Sequence, residues 1–158
     1  MVLRAAQSTD AVQMADVQNA IYRAGLRPSP VDAELVRERY LDSAHRIACT
    51  VVEQNGRIVG FQSLIRAWPG NPYGVTEGWG VIGTHIRPDA GRRGLGRRLF
   101  SVSLTAAQYA GLRHIDATIG ADNAPALAYY SAMGFAPYRE GSDSIPHRLE
   151  VPPSTGVS

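Results

Sequence analysis

A chain of 158 residues is long enough to bury a sizeable core and short enough to favour one domain. Its 44% apolar and 19% charged residues are those of an ordinary globular chain, and a formal charge of +2 is too small for a general nucleic-acid or membrane footprint. Any anion recognition must therefore be local.

Cys49 is the only cysteine, which excludes an intrachain disulfide framework and a thiolate-rich metal site. Its neighbours Ile47, Ala48, Val51 and Val52 mark it as a packed thiol rather than a nucleophile. No secretory leader or membrane-length apolar run is visible, so a cytoplasmic protein with no membrane partner is expected.

In chain order, Val2 to Ala6 reads as a short strand, and Ser8, Thr9 and Asp10 supply a helix-start signal. Met14, Val17, Ile21 and Ala24 follow at helical spacing, with Gly25 as a stop. Pro28-Ser29-Pro30 breaks the chain before a second predicted helix, Val31 to about Asp42. Arg46 to Glu53 and Arg57 to Arg66 are β-rich runs joined by Gln54-Asn55-Gly56, a strong hairpin signal. The loop Ala67 to Gly78 follows. Its Asn71-Pro72-Tyr73 is turn chemistry, and Trp68, Tyr73 and the adjoining Trp79 either line a pocket or cap the core edge.

Trp79 to Arg87 is the next predicted strand, and it runs into the stretch that organises the chain, Arg87 to Ala110. There the apolar pattern changes from strand to helix period. Gly94 and Gly96 sit at the change, and Leu95, Leu99, Val102, Ala106 and Tyr109 continue it. A helix start carries unpaired N–H groups and the positive end of the helix dipole, and glycines let an anion approach them. Arg92, Arg93, Arg97 and Arg98 add charge. The turn has neither the Lys-Ser/Thr of a P-loop nor the third glycine of a dinucleotide fingerprint.

Beyond Gly111, His114 to Ile119 reads as a strand with Ile115, Ala117 and Ile119 on one face. His114 has no companion at metal-ligand spacing. Asn123 to Phe135 is a short helix with Pro125 in its first turn, Asp122 or Asn123 as cap, and Gly134 at its end. A final strand is expected around His147 to Val151, then a flexible tail over 152–158 behind a single domain over 1–151.

The two stretches together resemble the signatures of the GNAT N-acetyltransferase superfamily. The first resembles its pyrophosphate turn, Gln/Arg-x-x-Gly-x-Gly/Ala, through Gly94 and Gly96, with Gly91 where the family has Gln or Arg. The second resembles Asn-x-x-Ala-Leu/Ile-x-x-Tyr-x-x-x-Gly-Phe through Asn123, Ala126, Leu127, Tyr130, Gly134 and Phe135. The resemblance implies an α/β (α+β) fold, with a mixed, mostly antiparallel central sheet and helices on both faces. It implies direct acetyl transfer from acetyl-coenzyme A to a primary amine of a small-molecule acceptor, without a metal.

Coenzyme contacts would come from Ile86, Arg87, Arg92, Arg93, Gly94, Leu95, Gly96, Arg97 and Asn123, with Tyr130 beside the thioester sulfur as general acid. The family's strand glutamate falls on Gly80, so the general base stays open between Glu77, His85 and a water chain. A coenzyme-A-binding sensor without catalysis is the alternative that Gly80 raises. A nucleic-acid-binding domain is a weaker one, because the arginine cluster lacks interleaved aromatics. The acceptor is not legible, and a homodimer is compatible with the sequence.

Overall fold

Residues 1–90 and 94–154 are described by the computed structural model. Among them, seven strands form one sheet: β1 (Val2–Ala5), β2 (Arg46–Gln54), β3 (Arg57–Arg66), β4 (Gly80–Ile86), β5 (His114–Gly120), β6 (Ala136–Pro137) and β7 (Ser144–Glu150). Their order is β1-β2-β3-β4-β5-β7-β6. Every neighbouring pair is antiparallel except β4 and β5. Asn55 and Gly56 both adopt positive φ, 52° and 74°, as a tight β2–β3 hairpin requires.

The helices divide between the two faces. Helices α1 (Ala11–Arg23) and α2 (Ala33–Val36) cover one face, where Met14, Val17 and Val36 pack on Cys49, Val51 and Phe61. Helices α3 (Leu95–Tyr109) and α4 (Ala124–Ala132) cover the other, where Phe100, Ala107 and Tyr130 pack on Leu64, Ile82 and Ile115. The mixed, mostly antiparallel sheet with helices on both faces is the one expected. Burial pushes the Cys49 thiol up to about 12, so it is an inert packed group.

Three boundaries differ from the expectation. The second helix begins at Ala33, because Asn19 holds Val31 extended through bonds of 2.8 and 2.9 Å to its N–H and carbonyl. Asp32 then caps the helix by accepting from the Leu35 N–H. After Val36 the chain relaxes into a wider turn over Arg37–Leu41. The last strand starts at Ser144, ahead of the apolar residues that signalled it, and β6 is too short to carry a period.

The functional consequence lies between β4 and β5. They pair only through Gly80↔Ile115 and Val81↔Asp116, and then part. From Ile82 to Ile86 one edge of β4 has no strand beside it, a fork roughly 15 Å long at the usual rise per residue. Gly80 stands at this junction, where a side chain would have to displace neighbouring leucine side chains. A Cβ there would lie 2.8 Å from Leu112 Cδ1 and 3.0 Å from Leu64 Cδ1.

Candidate active site

Alternation along β4 sends Ile82, Thr84 and Ile86 toward α3 and α4, and His85 toward α1 and α2. Within the fork, Tyr130 on α4 reaches Thr84, Oη to Oγ1 2.7 Å. Gln62 on β3 donates from Nε2 both to Thr84 Oγ1, at 2.8 Å, and to Tyr129 Oη, at 3.0 Å. Ser103 on α3 donates to Gln62 Oε1 at 2.6 Å.

The direction of this network follows from its one fixed acceptor. Tyr129 Oη lies 2.8 Å from the Gly96 carbonyl oxygen, which only accepts, so the tyrosine donates there and must accept from Gln62. That orients the Gln62 amide, makes Thr84 Oγ1 an acceptor toward it, and leaves the Thr84 hydrogen available to Tyr130. Burial pushes the Tyr130 phenol above its ordinary value of 10, and hydrogen bonding to Thr84 opposes that shift. The phenol is protonated at neutral pH.

Above this network starts α3. Gly94 is its N-cap at φ 71°, a left-handed conformation that disfavours side chains, and among the described residues nothing lies within 4 Å of the position of a Cβ. The first intrahelical bond at this end runs from Arg98 N to the Gly94 carbonyl at 3.1 Å. The N–H groups of Leu95, Gly96 and Arg97 precede it and have no carbonyl within the helix. These donors and the open approach fit a diphosphate. Leu95's side chain turns away into the core beside Ala90 and Leu99, leaving only its main chain for a ligand. Ile86 packs on the same cluster. Asn123 caps α4 by accepting from Ala126 N at 3.2 Å, so a coenzyme contact falls to its amide nitrogen. Arg87 follows β4, with a buried Nε that has no hydrogen-bond partner among the described residues. Arg92 and Arg93 lie outside the described residues.

The candidate bases stand apart from this cluster. Glu77 is exposed in the loop before β4, at the end where β4 and β5 are paired. His85 lies across the sheet against Phe61 and Tyr40, ring centroids 4.7 and 5.8 Å away, and Gln18 Nε2 is 3.5 Å from its ring nitrogens. Burial depresses its pKa to about 3, with the Arg27 and Arg39 charges adding to the effect. It is a neutral, weak base. Trp68 stacks on His45 and Trp79 on His114, centroids 4.1 and 4.6 Å apart. Asn71 ties its loop through Oδ1, which accepts from the N–H groups of Tyr73 and Val75 at 3.1 Å, as the turn reading required.

A family model for the Acetyltransferase (GNAT) family matches residues 12–135. The chain belongs to the GNAT acetyltransferase family. It is 32% identical over 103 residues to S-(2-succino)cysteine N-acetyltransferase of Bacillus subtilis (strain 168), across 61% of this chain and 59% of that one. It is also 32% identical over 111 residues to mycothiol acetyltransferase of Saccharomonospora viridis, across 68% of this chain and 36% of that one. The chain thus spans less than two thirds of either relative. In fold it is similar to YncA of Salmonella typhimurium, solved with its cofactor acetyl-CoA, at TM-score 0.72 and 20% identity over 98% of this chain and 96% of that one. Among the described residues of this GNAT chain, no helix is long and apolar enough to cross a membrane, and no group of three His, Cys, Asp or Glu is placed to hold a metal.

Gln62, Thr84 and Ser103 were not among the sequence candidates, and Tyr129 stood only as the neighbouring alternative to Tyr130. Gln62 carried a legible signal, an amide inside a ten-residue strand otherwise dominated by apolar groups. Asp116 carried a similar one, a carboxylate between Ile115 and Ala117.

Proposed function

We propose that this chain is an acetyl-CoA-dependent N-acetyltransferase that acts on the primary amine of a small molecule by direct transfer. The observation that carries the reading is the fork between β4 and β5, with the open start of α3 at one side and Tyr130 bonded to Thr84 inside it. The relatives named for S-(2-succino)cysteine and mycothiol support a small-molecule acceptor.

The coenzyme would be held by the main-chain N–H groups of Leu95, Gly96 and Arg97, by Asn123, and by the free edge of β4 through Ile86, with Arg87 adding charge. Gly94 gives the diphosphate room. Acetyl-CoA supplies the acyl group and a thiolate leaving group. The amine nitrogen bonds to the acetyl carbon and the carbon–sulfur bond breaks. Of the two protons that the ammonium loses, one ends on sulfur and one in solvent.

Tyr130 serves the sulfur. An ordinary thiol ionises near ~8.5, and a buried phenol above ~10, so complete transfer from phenol to thiolate is uphill by more than about 2 kcal/mol. The role that fits is a hydrogen bond to sulfur as charge develops, with Thr84 holding the phenol in line. Glu77 and His85 remain candidates for the acceptor's proton, Glu77 from the exposed loop and His85 through a change that admits water. The direct test is thiol release from acetyl-CoA across a panel of amines. Acetylation of at least one small amine, lost in Tyr130→Phe while acetyl-CoA still binds, supports the reading. Tight coenzyme binding with no transfer to any amine would favour a sensor.

A further inference from the structure

On the side of the fork opposite α3 and α4, the charge distribution is lopsided. Ile115, Ala117 and Ile119 pack toward the helices, so alternation points Asp116 and Thr118 to the other face. Asp116 is fully buried at the last paired position before β4 and β5 part. Tyr138 donates to its Oδ2 and Thr118 to its Oδ1, but among the described residues it forms no ion pair. A carboxylate at such a place normally has a positive partner or becomes neutral.

Two arginines flank it: Arg148 is its partner across the β5–β7 register, and the charge of Arg139 acts on it. The Arg139 and Arg148 guanidinium groups lie 5.5 and 5.6 Å from the Tyr138 ring centroid. Arg139 also donates to the Tyr73 carbonyl at 3.1 Å, which joins this wall to the loop before β4. From the α1–α2 side, the charges of Arg27 and Arg39 act on both Tyr40 and His85. Ion pairs among the described residues are confined to Arg4 with Asp10 and Glu53, so none of these four arginines takes part in one.

Resting on the acetyltransferase reading, we propose that the acceptor is an amine that also carries one or more carboxylates. Its ammonium is received by Asp116 once Tyr138 swings aside, and its carboxylates are bound between Arg27 and Arg39 on one side and Arg139 and Arg148 on the other. An ammonium supplies the direct ion pair that Asp116 lacks, and carboxylates suit the planar fork of a guanidinium. Polyamines and aminoglycoside-like cations would meet four arginines that form no ion pair and are excluded as good acceptors.

The test measures thiol release with L-glutamate, S-carboxymethyl-L-cysteine, the α-amide of each and spermidine, beside calorimetric titration of acetyl-CoA. At least one carboxylate-bearing amine should exceed its own amide about tenfold in kcat/KM, since charge-assisted bonds are lost with the amide. The exposed variants Arg39→Gln and Arg148→Gln should raise the acceptor KM several-fold with kcat nearly unchanged, and Asp116→Asn should raise it further. The proposal falls if amides or spermidine react as well, if both arginine variants keep the wild-type KM, or if no carboxylate-bearing amine reacts although acetyl-CoA binds. Absence of acetyl-CoA binding would instead remove the underlying reading, and this proposal with it.

Discussion

A Cβ on Gly96 would stand 2.6 Å from Cε1 of Tyr129, whose hydroxyl donates to the Gly96 carbonyl at 2.8 Å. The second glycine of the turn therefore has a structural task besides any ligand. It admits the aromatic ring by which α4 is locked to the start of α3. Gly94 has the complementary task, a left-handed φ of 71° with no described residue within 4 Å of a Cβ there.

Gly96→Ala should accordingly cost about 1–3 kcal/mol of stability, as overpacking commonly does. The loss should shrink when Tyr129→Leu is added. Chemical denaturation of the two single variants and the double variant measures the coupling. Strictly additive losses would show that the ring and the glycine do not constrain one another.

The Ser103–Gln62–Thr84–Tyr130 chain makes a kinetic prediction. Tyr130→Phe removes the donor to the developing thiolate and should lower kcat by about 10²-fold, the scale for one preorganised donor, with coenzyme affinity nearly intact. Thr84→Val should give a smaller loss in the same parameter, because it misaligns the phenol without removing it. Steady-state kinetics with acetyl-CoA varied would separate kcat from KM. A loss confined to KM would contradict the assignment.

The position where many family members carry glutamate makes a third prediction. Gly80→Glu does not restore a base, because even its Cβ meets Leu112 and Leu64 within 3.0 Å. Stability should drop by about 1–3 kcal/mol, and activity should not rise. A more active and equally stable variant would mean that the β4–β5 junction opens to admit the side chain.

Asp116 provides a pH signature of its environment. Burial raises its pKa above the ordinary 3.8, against the hydrogen bonds of Tyr138 and Thr118 and the charges of Arg139 and His147. The folded chain thus keeps a proton that the unfolded chain has released, and this group's contribution to stability falls as pH rises through that window. Asp116→Asn should melt higher than wild type at pH 7, with the gain vanishing below about pH 4. A variant less stable at every pH would show that the ionised carboxylate is well satisfied in the fold.

Much of the architecture was legible because it rests on local rules. The Asn55-Gly56 hairpin, the Gly94 helix start and the Asn123-Pro125 cap are fixed by backbone preference. The two signature stretches therefore announced the fork's neighbours correctly. What escaped depends on contacts distant in sequence. Nothing within Leu127 to Ser131 says that Tyr129 belongs under Gly96 while Tyr130 reaches Thr84, since adjacent helical residues differ by about 100° and only packing sets the phase. The chemistry of His85 makes it a candidate base but says nothing of its surroundings. Its burial against Phe61 on β3 and Tyr40 in the turn after α2 is set by segments far from it in sequence. Glu77 was nearby in sequence, yet it lies at the closed end of the fork.

The central claim is that the start of α3 binds the diphosphate and directs the thioester into the β4–β5 fork. A crystal structure with acetyl-CoA tests it most directly. The account predicts phosphate oxygens within hydrogen-bond reach of the Gly96 and Arg97 N–H groups and the sulfur beside Tyr130 Oη. A coenzyme bound elsewhere, or one whose sulfur lies away from Tyr130, would contradict it.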